Sequence, residues 1–100
     1  PMIRALSETI NNNKGQVIVT GHTDNRQVPA GSEFPSNWDL SAVRAAAVAD
    51  SLSSLMNIPK QRLSVEGMAD TKPLNENRSA ADRARNRRVE IVLDIAGVEE

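Results

Sequence analysis

Segments of helical and strand character alternate along this chain, and that alternation is what most limits the folds open to it. Met2, Ile3, Leu6 and Ile10 recur at helical spacing until the run Asn11-Asn12-Asn13-Lys14-Gly15 halts the pattern. Gln16-Val17-Ile18-Val19-Thr20 is a β-branched stretch of strand length closed by Gly21. Residues 22–36 are polar and punctuated by Pro29, Gly31 and Pro35, which reads as a long loop. A second helix is expected from about Trp38 to Met56, with Ser36 or Asn37 as its N-cap, Asp39 in its first turn and Pro59 just past its end. Leu40, Val43, Ala47, Val48, Leu52 and Leu55 are the residues expected on its buried stripe. Leu63 to Gly67 alternates like a short strand, Ser79 with Asp82 three residues later marks the start of a brief third helix, and Val89, Ile91, Leu93 and Ile95 alternate as a half-buried strand. The order α-β-α-β-α-β predicts an α/β two-layer sandwich with helices over one face of a sheet.

The chain has 100 residues, which is one small domain with room for a single core. We expect that domain over 1–95, followed by a frayed tail over 96–100. Because cysteine is absent, disulfide scaffolds and thiolate metal sites are excluded. A net charge of -1 steers the chain toward no particular polyanion. No apolar run approaches the roughly 18 residues of a membrane span. The chain opens at Pro1 inside a helical pattern, so upstream targeting or anchoring sequence is expected.

Ligands of open α/β sheets collect beyond the carboxyl ends of strands, and Gly21-His22-Thr23-Asp24-Asn25 lies at such an end. Asp24 is either a turn-former or a charged contact. Arg44, one turn into the second helix, is either a solvated edge whose stem covers the core or a cation leaning back toward the Asp24 loop. A carboxylate and a guanidinium on one cleft either pair or bracket a zwitterion. Arg83, Arg85, Arg87 and Arg88 form a basic cluster, but near-neutral net charge, flanking Asp82 and Glu90 and the lack of interleaved aromatics argue against nucleic acid. His22 with Asp24 is a weak metal pattern, no Gly-x-Ser-x-Gly elbow occurs, and nothing in the spacing supports catalysis. No cofactor or metal is expected.

Four ordered motifs carry a resemblance to a family. Val17 to Asn25, Asn37 to Ala45, Arg62 to Asp70 and Arg83 to Ile91 together resemble the OmpA C-terminal-like domain, and the likeness spans about residues 2–95. It implies a βαβαβ arrangement with a mixed sheet, here without the family's first strand, so that Val89 to Ile95 would present an open edge. The resemblance also implies non-catalytic, non-covalent binding of peptidoglycan through the meso-diaminopimelate of its stem peptide. Carried over by position, Asp24 and Arg44 grip the ligand, Asn37, Asn86, Arg87 and Arg88 line the cleft, and Thr23, Asn25 and Leu40 adjoin them. Diaminopimelate ends in an ammonium and a carboxylate on one carbon, which suits a bracketed zwitterion. Within the family, Arg26 to Pro35, Phe34 to Ser41 and Gly67 to Thr71 are most similar to flagellar motor stator B subunits of the MotB and PomB type. The wall-binding domain of type VI secretion TssL-like proteins is a near rival, and a general OmpA or Pal-type anchor a more distant one. These likenesses imply a periplasmic domain of an inner-membrane protein in a Gram-negative bacterium, with membrane-embedded stator subunits as partners and a homodimer as its working state.

Overall fold

The computed structural model describes Ile10 and residues 15–94. Strand β1 (Gln16–His22) is central, with β2 (Leu63–Gly67) parallel on one side and β3 (Arg88–Asp94) antiparallel on the other. Helix α1 (Asn37–Met56) crosses one face of this mixed sheet, and a short helix α2 (Ala80–Asn86) precedes β3. The α/β sandwich expected from the alternation is present. Of the first expected helix, only Ile10 is described; it is helical and 2% exposed. Met2, Ile3 and Leu6, and the tail 96–100, lie outside the described residues.

Strand register sorts the side chains. Val17, Val19 and Gly21 align with Leu63, Val65 and Gly67 on one side and with Leu93, Ile91 and Val89 on the other. Val17 and Val19 are fully buried and join Ile10, Ala45, Ala49, Leu52 and Ile58 in the core. On the opposite sheet face, Thr20 and His22 are also buried. Glu90 accepts from Arg88 at 2.7 Å and lies 3.3 Å from the His22 ring, and Thr20 donates to Glu66 at 3.3 Å. The outer edge of β3 has no partner strand among the described residues.

Helix α1 is rotated relative to the stripe expected from hydrophobicity. Its buried residues are Ser41, Ala45, Ala49 and Leu52, while Val43 is 50% and Leu55 78% exposed. The reason is steric. Gly21 and Gly67 let the helix backbone lie directly on the strands, and only small residues fit at that contact. A Cβ on Gly21 would overlap the Ser41 carbonyl, and one on Gly67 would meet Ala42 N at 2.7 Å and Ser41 Oγ at 2.8 Å. Close approach therefore selects for size, and the larger apolar residues Val43 and Leu55 turn outward.

The helix ends follow local chemistry. Ser36 caps α1 with extended backbone, but its hydroxyl donates to the Asp39 carboxylate at 2.9 Å instead of accepting a helical N–H. Asn57 closes the helix at a left-handed φ of 56°, and the Ile58 N–H returns to the Leu52 carbonyl. Ser79 caps α2 by accepting the Asp82 N–H at 3.0 Å, as its spacing from Asp82 predicts. Arg62 ties the start of β2 back to the residues before β1, donating to Gly15 O at 2.9 Å and Ile10 O at 3.0 Å.

Candidate functional site

Pairing between β1 and β2 continues past their carboxyl ends. The Met68 N–H donates to Gly21 O at 3.0 Å and the Thr23 N–H to Ala69 O at 2.8 Å. These bonds hold the loop after β1 against the turn after β2. Ala69 anchors that turn: it is 2% exposed, its N–H donates to the buried Ser41 hydroxyl at 3.0 Å, and Thr71 N–H closes the turn on Met68 O. Its φ is 52°, a left-handed value that costs a residue with a Cβ about 1–2 kcal/mol. Strain of this kind persists only where surrounding bonds hold it, and it concentrates at binding sites.

Asp24 sits at this junction with 6% exposure. One carboxylate oxygen accepts the Arg26 N–H at 2.9 Å and the other accepts the Arg87 guanidinium at 2.6 Å. Burial opposes the charged form, but the Arg26 bond and the Arg87 bond and charge outweigh it, so the carboxyl is held below its ordinary range. Thr23 is buried and donates its hydroxyl to Asp24 O at 2.9 Å, a loop-fixing contact. Asn37, in the first turn of α1, donates to Arg26 O at 2.9 Å and so joins the helix to the loop.

A cavity of about 340 Å³ opens here between the loop after β1, the start of α1 and the turn after β2. Asn25 and Asn37 line it, together with Gln27, Trp38, Ala69 and Asp70. Leu40 is half-buried nearby in sequence on α1, and Arg44 is exposed one turn further on.

The expected site residues divide accordingly. Asp24, Thr23, Asn25 and Asn37 gather around the junction. Asp24 is engaged by Arg87 and not by Arg44, which forms no ion pair among the described residues. Asn86 and Arg88, expected along the cleft, are both bonded to other parts of the chain. Asn86 is fully buried; its amide oxygen accepts the Leu74 N–H at 2.7 Å, and its amide nitrogen donates to Asn75 and Asn77, each at 2.8 Å. An amide so occupied clamps the loop before α2, with both of its N–H donors used. Arg88 donates to Glu90, to Asn86 O and to Lys72 O, and serves the opposite sheet face. Of the basic cluster, Arg83 is likewise committed, to Asn77 O. Among the described residues, no group of three or more His, Asp or Glu side chains could hold a metal ion.

Sequence reasoning missed the Asp24–Arg87 pairing, because 63 positions separate the two. It also did not place Trp38 and Asp70 at a cavity; Trp38, one of two aromatics in the chain and set at a helix start, was the hint the sequence offered.

The model of the OmpA family matches residues 1–87. The chain belongs to the OmpA family. Among curated relatives of this OmpA-family domain, the uncharacterized protein YtxE of Bacillus subtilis is 42% identical over 91% of the chain, and Motility protein B of Bacillus subtilis is 34% identical over the whole of the chain. Peptidoglycan-binding protein ArfA of Mycobacterium tuberculosis is 38% identical over 79% of the chain. The chain spans 36%, 38% and 22% of these three proteins respectively. Among solved structures, the cell wall anchor of the type VI secretion system from Pseudomonas aeruginosa is 46% identical with a TM-score of 0.77, covering 93% of the chain and 64% of that protein's. The C-terminal domain of Helicobacter pylori MotB is 27% identical with a TM-score of 0.82, covering 93% and 70%. Fold and family thus agree with the four-motif resemblance.

Proposed function

We propose that this OmpA-family domain binds peptidoglycan without catalysis, taking the zwitterionic end of a meso-diaminopimelate stem peptide at the junction of β1, β2 and α1. The observation that carries the reading is the Asp24 carboxylate, held ionised by the Arg26 N–H and by Arg87 beside a polar cavity at the carboxyl ends of the strands. Asp24 supplies negative charge, Arg87 and Arg44 supply guanidinium groups for a carboxylate, and Asn25, Asn37 and Leu40 border the bound head. Asn86, Arg88 and Thr23 act behind this surface by fixing its loops.

In this reading the domain anchors a membrane complex to the wall from the periplasmic side. A MotB-type flagellar stator is the first choice, because Motility protein B matches along the whole chain. The membrane-embedded stator subunits as partners, and a homodimer, belong to the same proposal. A second reading, the wall anchor of a type VI secretion system, is favoured by the 46% identity to the Pseudomonas aeruginosa structure.

Co-sedimentation with diaminopimelate-containing sacculi tests the binding claim. The unaltered chain is expected to pellet with them, and Asp24→Ala, Arg87→Ala and Arg44→Ala to stay in solution while keeping native far-UV circular dichroism. Undiminished pelleting of all three variants would falsify the assignment of this junction.

A further inference from the structure

Asp24 is covered in the free chain. Its side chain is 9% exposed, with one oxygen on the Arg26 N–H at 2.9 Å and the other on the Arg87 guanidinium at 2.6 Å. The adjoining cavity is walled by Asn25, Asn37, Trp38 and Asp70 among others, and neither Asp24 nor Arg87 belongs to that wall. Each carboxylate oxygen keeps accepting capacity beyond the bond it makes, but burial leaves little of it within reach of a ligand.

The two partners are held differently. Asp24 is fixed by backbone, through the Arg26 N–H and through Thr23 beside it, whose own N–H is bonded to Ala69 O. Arg87 is fixed only at its base. Its N–H donates to Arg83 O, and it stands between the fully buried Asn86 and Arg88, which makes three hydrogen bonds of its own. Its side chain is 43% exposed, and among the described residues its guanidinium makes no hydrogen bond except that to Asp24. A long side chain with an exposed stem and one contact swings away without moving the backbone, whereas the carboxylate cannot follow it.

An ammonium and a guanidinium compete for the same Asp24 oxygen, because both are donors only. A ligand that brings an ammonium alone displaces Arg87 and leaves it without a counter-ion. A ligand with a carboxylate on the same carbon gives the displaced guanidinium a new partner. We infer that Arg87 is a latch over Asp24, transferred on binding from the Asp24 carboxylate to the carboxylate of the ligand. Resting on the peptidoglycan reading, the latch makes the site selective. Every ammonium must break the Asp24–Arg87 pair, and only a zwitterionic end such as that of diaminopimelate replaces it.

Two synthetic stem tripeptides test the exchange by titration calorimetry, one ending in meso-diaminopimelate and the other in L-lysine, which keeps the side-chain ammonium and lacks the carboxylate beside it. Arg87→Ala is expected to weaken binding of the first about tenfold and to tighten binding of the second about threefold, since a half-exposed ion pair no longer has to be broken. Arg87→Met, which keeps the apolar stem, should shift the two peptides in the same opposite directions. Native far-UV circular dichroism of both variants excludes unfolding as the cause. In a crystal of the diaminopimelate complex, the Arg87 guanidinium should lie beyond hydrogen-bond distance of Asp24. No gain for the lysine peptide, an undiminished diaminopimelate peptide, or an Asp24–Arg87 contact retained in the complex overturns the inference while leaving the peptidoglycan reading standing. If the unaltered chain binds neither peptide nor sacculi, that reading fails and the latch falls with it.

Discussion

Ser41 has no accessible surface, and its hydroxyl accepts the Ala69 N–H at 3.0 Å while donating to the Trp38 carbonyl at 3.0 Å. Its replacement by Ala strands a buried N–H in the strained turn, which costs about 1–3 kcal/mol. Urea unfolding of Ser41→Ala is expected to show a midpoint lowered accordingly; a change below about 0.5 kcal/mol would mean that the turn finds another acceptor. The Asp24–Arg87 pair makes a pH-dependent statement. A carboxyl whose folded pKa is depressed contributes stability that is present above its unfolded value and is lost as pH falls through the folded value. Arg87→Ala should therefore lose about 1–2 kcal/mol at neutral pH, and less of what remains below about pH 4, so that the two stability curves converge in acid. Thermal midpoints measured from neutral to strongly acid pH check this, and parallel curves would count against the pair as a stabilising contact. Glu90, depressed by the Arg88 hydrogen bond and charge, titrates in the same acid window in both proteins and so cancels in the comparison.

At the level of elements, strands and helices followed local pattern. β1 is a β-branched run, β3 alternates, and α2 begins where Ser79 and Asp82 offer a cap. The rotation of α1 was beyond such reading, because hydrophobicity ranks Val43 and Leu55 above Ala45 and Ala49, whereas the two strand glycines demand small residues at the contact. The consequence is measurable. Leu52, 2% exposed, should cost about 2–5 kcal/mol when changed to Ala. Leu55, 78% exposed only three positions later, should cost no more than about 0.5 kcal/mol. Comparable losses at both would place the helix at the rotation that hydrophobicity alone suggests.

For the whole molecule, the sequence by itself determined the layer architecture, the family and the strand-end loop that carries the candidate site. These rest on residue order: an apolar period of two or 3.6, glycine and proline punctuation, and the string Gly21 to Asn25 at a strand end. It did not determine which cation meets Asp24, since Arg44 and Arg87 are equally charged on paper and only the return of β3 beside β1 brings Arg87 within 2.6 Å. Nor did it separate Asn86 and Arg88, which clamp loops, from Asn25 and Asn37, which border a cavity. Asp70 reaches the cavity wall only because a turn held by Ser41 and Thr23 sets it there. Pairing between polar groups distant in sequence depends on where the packed backbone carries them, and local pattern holds no record of that distance.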